Sequence, residues 1–131
     1  MNASSVDIAE LLETSGAGLN LTIGTNLFVD SSPSTVDKCT TVVDTSGLNP
    51  ELNYVYERVG VQVLQRGKKY GYVDAYNTLH AIKTYLHGKN DLTLSGARYI
   101  IIYVVGDILS LGYDDNNRPL LSCNFRIHRT G

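Results

Sequence analysis

The chain has 131 residues, 43% of them hydrophobic and 18% charged, which suits one soluble globular domain able to bury roughly two thirds of its unfolded surface. No apolar run approaches the roughly 18 to 20 residues that span a bilayer, so a membrane protein is excluded on this reading. The net charge of −2 conceals a split: residues 1 to 57 carry eight acids against Lys38 alone, and residues 58 to 131 carry ten bases against five acids, or −7 followed by +5.

The amino-terminal MNASSVDIAELLE has neither the basic start nor the continuous apolar stretch of a secretion signal. Synthesis and folding in the cytosol are therefore expected, and the two glycosylation sequons at Asn2 and Asn20 are expected to go unread. Cys39 and Cys123 are far apart, each in a strand-like segment, and are expected as buried thiols rather than a disulfide or a metal site.

Ser4 and Asp7 have the spacing of a capping box, and Ile8, Leu11 and Leu12 fall at helical intervals until Gly16 and Gly18 stop the pattern. TNLFVDSSP predicts a brief strand, and KCTTVVDTSG a second one rich in β-branched residues. After a polar loop, SGLNPELN, residues 54 to 66 alternate, with Val59, Val61 and Val63 on one face and Gln62, Leu64 and Arg66 on the other. Gly67-Lys68-Lys69 then turns the chain. Residues 72 to 86 place Tyr72, Ala75, Tyr76, Leu79, Ile82 and Leu86 along one helical stripe, and Gly88 is placed to end the helix at C′. YIIIYVVGDIL, residues 99 to 109, is apolar without a break, as expected of a central strand covered on both faces. The last element, LLSCNFRIHR, alternates Leu121, Cys123, Phe125 and Ile127 with Ser122, Asn124, Arg126 and His128, and is expected at or near an edge of the sheet. The order helix, three strands, helix, two strands predicts an α+β fold: one domain over residues 1 to 131, with a largely antiparallel or mixed sheet of about five strands and two packed helices.

Known site chemistry mostly fails on spacing. A calcium loop starting at Asp114 would need Gly at its sixth position and Glu at its twelfth, which hold Pro119 and Phe125. His80 and His87 are seven residues apart, about 10.5 Å along a helix, too far for one zinc ion. No serine has the nucleophile elbow, and RGKKYG is not a phosphate-cradling loop. Tyr72, Tyr76, Tyr99 and Tyr103 fall on faces expected to be buried, which argues for core packing over base stacking. The segment DDNNR reads as a turn whose Asp and Asn side chains bond their own backbone, leaving Arg118 to reach a neighbouring chain.

Taken in order, "GLNLTIGTNLFVDSSP", "VGVQVLQRG", "YVDAYNTLHAIKTYLHG" and "LGYDDNNRPLLSCNFRIHR" resemble the small tailed-bacteriophage proteins described as minor capsid or tail terminator proteins. The stretches cover roughly half the chain in compact order. The resemblance implies a virion subunit that assembles, usually as a hexameric ring, on the head-proximal end of the tail tube. There it would stop tube growth and dock to the capsid neck, with tail tube protein, neck or head-completion protein and further copies of itself as partners. DNA would pass transiently through a lumen expected to be neutral or acidic, because a basic one would hold phosphates.

This role requires no catalysis and no cofactor, metal or membrane, since capping is achieved by surface complementarity. If the acidic and basic halves lie on opposite sides, copies can meet in the heterologous contact that closes rings. Arg58, Arg66, Arg126 and His128, outward-facing on strands, and Asp114, Asp115 and Arg118 at the turn are the expected contact residues. One alternative is a head-completion or neck stopper protein, also a small ring-former. The other is a small metal-dependent enzyme or ligand-binding domain, which would require Asp114, Asp115, His80 and His128 to converge.

Overall fold

The computed structural model describes residues 1–15, 18–48 and 56–130. The elements in chain order are α1 (Ser4–Glu13), β1 (Leu27–Val29), β2 (Cys39–Leu48), β3 (Tyr56–Arg66), α2 (Tyr72–Leu86), β4 (Asn90–Leu94), β5 (Ala97–Tyr113) and β6 (Pro119–Thr130). Among the described residues the strands form one mixed sheet in the order β1-β2-β3-β6-β5-β4, with β1 parallel to β2 and every other pairing antiparallel. Gly16, the polar stretch 49 to 53 and the expected strand start at Tyr54 lie outside the described residues.

Register divides the sheet into two unlike faces. Val42 lies opposite Val63, which lies opposite Cys123, and Val61 lies opposite Phe125. Cross-strand partners share a face, so the apolar alternation of each strand adds to one continuous surface. Ile8 and Leu12 of α1 and Ala75, Leu79, Ile82 and Leu86 of α2 complete that core, with Tyr99, Ile102 and Ile127 from the sheet. Each such aliphatic side chain contributes roughly 1.5–3 kcal/mol on burial. The opposite face, with Gln62, Asn124, Arg126 and His128, carries no helix among the described residues.

The α+β class holds, with six strands rather than about five. The missed strand is β4, NDLTL, whose alternation is confined to Leu92 and Leu94, half-buried against the core, over a segment of only five residues. Its signal was the Ser95-Gly96 dipeptide: both residues have positive φ, 48° and 80°, as the two centres of a tight hairpin turn require. The central and peripheral places of the last two strands are also exchanged. β6 pairs along its length with β3 on one side and β5 on the other, and its polar residues face away from the helices. A strand with one solvent-facing side can be central in an antiparallel sheet. β5 differs in its irregularity: one-residue register shifts between Tyr99 and Ile101 and between Ser110 and Gly112 change its facing, and two extra residues bulge between Val105 and Leu109. Gly106 and Gly112, at φ 78° and 90°, supply the backbone those irregularities need.

Helix ends also depart from expectation. α1 has Ala3 at its N-cap and no capping side chain of its own. Its first turn is met from β2 instead: Asp44 accepts from the buried Ser5 N–H at 2.9 Å and from the Ser5 hydroxyl at 2.6 Å. α2 ends as expected, with Gly88 at φ 87° after the C-cap His87. On its predicted stripe, however, Tyr72 and Tyr76 are exposed, because only Ala75, Leu79, Ile82 and Leu86 reach the sheet.

Asp7, freed from any capping box, is sealed in the core. Its carboxylate accepts from the Tyr99 hydroxyl at 2.5 Å and the Ser95 hydroxyl at 2.8 Å. Arg129 donates to the Tyr99 oxygen and the Asn2 carbonyl, each at 3.0 Å, and pairs with Glu57 at 3.2 Å. Burial, followed by the bond to Asp7, pushes the Tyr99 phenol up to about 12. Burial likewise raises the Cys123 thiol to about 11, and both cysteines are buried and free.

Two outcomes follow. Asp44→Ala removes the cap of α1 and is expected to lower stability by about 1 kcal/mol, read from urea unfolding. Because the folded state holds Tyr99 neutral above its ordinary value, its contribution is complete below about pH 10 and is lost as pH rises through about 12. Tyr99→Phe is therefore expected to flatten the fall of Tm across that alkaline window, measured against the parent chain.

Candidate functional site

Six of the seven expected contact residues separate into two groups with different environments, and Asp115 stands apart. Arg66, Asp114 and Arg118 turn inward on the loop that follows β1. Asp114 closes the β5–β6 turn as expected, its Oδ1 accepting from the Asn116 and Arg118 N–H groups at 2.9 Å each, with Asn117 at φ 58°. These bonds to backbone N–H, together with the Arg118 side chain, lower the carboxyl below its ordinary range. Arg118, only 3% exposed, donates from Nε to Asp114 at 2.8 Å and from Nη1 to the Ser34 carbonyl at 2.8 Å, with Asp37 at 3.3 Å. Arg66 donates to the carbonyls of Pro33, at 2.6 Å, of Asp37, at 3.1 Å, and of Val36. Two guanidinium groups thus clamp residues 33 to 37, and Arg118 is committed inside the subunit instead of projecting toward a neighbour.

Gly67 sits where this clamp meets α2. A Cβ there would stand 2.8 Å from Pro119 Cγ and 2.9 Å from the Gly71 carbonyl, so the close approach of β3 and β6 at this end requires glycine.

Arg58, Arg126 and His128 remain together on the helix-free face. Arg58 lies opposite His128 across β3 and β6, and Tyr103 lies opposite Arg126 across β5 and β6. The His128 ring is held between two phenols, Nδ1 at 2.6 Å from the Tyr56 hydroxyl and Nε2 at 3.5 Å from that of Tyr103. Partial burial first, then the positive charges of Arg58 and Arg126, lower its pKa, so it is neutral at pH 7. Arg126 Nε is buried and meets no hydrogen-bond partner among the described residues. Such a site offers donors and positive charge to an anionic or carbonyl-rich surface. Asp115 is exposed at the tip of the neighbouring turn.

The residues that an enzymatic reading needs do not converge. His80 lies on the outer side of α2, stacked on Tyr76 at 6.1 Å, whereas His128 lies on the opposite side of the sheet. Among the described residues no three or more His, Cys, Asp or Glu side chains are grouped to hold a metal ion. A cavity of about 410 Å³ touches Lys38, Thr40, Gln65 and Thr78, and a smaller one of about 170 Å³ lies beside Leu64, Leu111 and Leu120. The smaller is also lined by Asp30 and Arg66, and no histidine lines either.

Sequence reasoning missed the exposed apolar surface. Val105, Leu109, Leu111 and Tyr113 of β5 are 43 to 58% exposed. Tyr70 and Val73 are about 70% exposed beside the stacked Tyr72, Tyr76 and His80. The available signal was that the apolar run of β5 is too long for the core it serves. Clustered apolar exposure of this kind marks contact surfaces.

Comparison with known proteins agrees with a role in contact. A family described as "Bacteriophage tail terminator protein" matches residues 11–130. The chain therefore belongs to the bacteriophage tail terminator family, and is a structural protein of the phage tail. Among solved structures, a chain from the "Virion of native gene transfer agent (GTA) particle" shares the fold with a TM-score of 0.73 at 17% identity, covering 98% of this chain and 96% of that one. No curated protein matches.

The clamp gives a sharp contrast between neighbours in sequence. Arg118→Ala removes charge-assisted bonds of a buried guanidinium and is expected to cost about 2–3 kcal/mol in denaturant unfolding, while Asp115→Ala is expected to stay within about 0.5 kcal/mol of the parent.

Proposed function

We propose, from membership in the tail terminator family, that several copies of this chain form a ring on the head-proximal end of the tail tube, six by the resemblance of its motifs to the family. The ring stops tube polymerisation by occupying the growing end and presents a different surface to the capsid neck. The single observation that carries this reading is the family match across residues 11–130. The subunit works in the virion after assembly in the host cytoplasm, and acts without catalysis or a cofactor.

Its geometry suits that role. A ring that meets the tube on one side and the neck on the other needs two unlike surfaces on each subunit. The helix-free face supplies Arg58, Arg126 and His128, and the opposite side carries the exposed acids Glu10 and Glu13 of α1. Arg126, His128 and Asp115 are the accessible polar contacts, while Arg66, Asp114 and Arg118 belong to the clamp at the other end of β3 and β6. A lumen that is neutral or acidic lets DNA pass without retention.

Complementation of phage lacking this chain tests the assignment. Loss is expected to give tails of abnormal length that do not join heads, and the parent chain is expected to restore them. Arg126→Glu, folded by circular dichroism, is expected to restore at least about tenfold fewer infectious particles, because one like-charge contact of roughly 1.4 kcal/mol is a factor of ten. Tails of normal length beside leaking heads would assign the chain to the neck instead.

A further inference from the structure

β5 is covered along only part of its outer edge. β4 pairs with it from Ala97 to Ile101, and three further bonds extend that cover: Gly88 N–H to the Ile102 carbonyl and Ile102 N–H to the Lys89 carbonyl, both 2.8 Å, then Val104 N–H to His87 Nδ1 at 3.0 Å. From Val105 to Tyr113 no strand lies along this edge among the described residues. The segment has no Lys, Arg or Pro to deter pairing, and its one acid, Asp107, is drawn to Lys83 of α2 at 2.9 Å. Its Val105, Leu109, Leu111 and Tyr113 are exposed, and Val105 and Leu109 lie opposite Asn124 and Ser122 of β6, on the helix-free face.

The other end of the sheet is open in a matching way. β1 covers only Thr40 to Val42 of β2, and residues 44 to 48 are exposed, with Leu48 at 52%. Reading the antiparallel pairings across the sheet, β2 runs parallel to β6 and antiparallel to β5. A second copy placed beside the first in the same orientation therefore brings its β2 edge to the β5 edge as an antiparallel neighbour. The uncovered halves lie at diagonal corners, so successive copies step along the strand direction, as tilted strands do in a closed barrel.

We propose that the β5 edge from Val105 to Tyr113 receives the β2 edge, Val43 to Leu48, of a second copy of this chain, so that neighbouring sheets join by strand pairing. This rests on the reading of the chain as a ring-former and names the contact between its subunits. The two free edges commit the occupant: one sheet offers both halves of the ladder, with opposite outward directions and the strand polarity that pairing requires.

Hydrogen exchange of the purified chain, dilute and concentrated, with electron microscopy of the same samples and of purified particles, tests this. Multi-copy rings are expected, with amides in both 43–48 and 105–113 slowed at least about tenfold relative to the dilute subunit. The double variant Leu109→Lys, Leu111→Lys changes two exposed side chains and is expected to keep the parent's dilute-state unfolding midpoint yet fail to form rings. Rings in which either segment exchanges as fast as in the dilute subunit, or a double variant that assembles like the parent, would overturn the strand pairing and leave the ring reading standing. Absence of any multi-copy annulus from both samples and particles would remove both.

Discussion

The carboxylate of Asp7 is shut away from water and must find its partners inside the protein, and this requirement organises one whole side of the fold. An isolated buried carboxylate is expensive, and hydrogen-bonded partners offset that cost. Tyr99 from β5, Ser95 from the hairpin before it and, at 3.9 Å, the guanidinium of Arg129 from β6 supply them. Together with Asp44 at the start of the helix, these contacts fix where α1 lies on the sheet. With α1 and α2 both on one face, every apolar alternation must point there. The other face is left free to carry charge, and the edges are left free to meet something else.

That division explains what could be read from residues alone. Strict alternation in β3 and β6 gave their core faces correctly, since Val61, Val63, Cys123, Phe125 and Ile127 are all buried. The period of 3.6 found α2, and Gly88 found its end. What resisted was information carried by partners distant in sequence. Nothing near Ser4 announces that Asp44, forty residues on, will cap α1, and an apolar run such as YIIIYVVGDIL looks the same whether both its faces are covered or a glycine bulge turns half of it outward. The short β4 offered only Leu92, Leu94 and the turn that follows them as signals.

The candidate contact residues were legible in kind rather than in place. Arg58, Arg126 and His128 face outward as the alternation implied, gathered with Tyr56 and Tyr103 through register that no local pattern discloses. Arg118 has the same residue type and a similar setting in sequence, yet its neighbours are the carbonyls of a loop more than eighty residues earlier. Exposed tyrosines on α2 escaped notice because a helical stripe that is apolar throughout can be wider than the sheet beneath it.

The clamp on residues 33 to 37 has an energetic corollary for any encounter with another protein. Association ordinarily spends free energy on immobilising floppy segments, roughly 0.5–1.5 kcal/mol for each rotamer-rich side chain, with backbone ordering in addition. Here Pro33, Ser34, Val36 and Asp37 already have their carbonyls or carboxylate tethered by guanidinium groups from two separate parts of the sheet. A segment tethered in this way has little disorder left to lose, so any protein meeting this corner would meet a rigid shape.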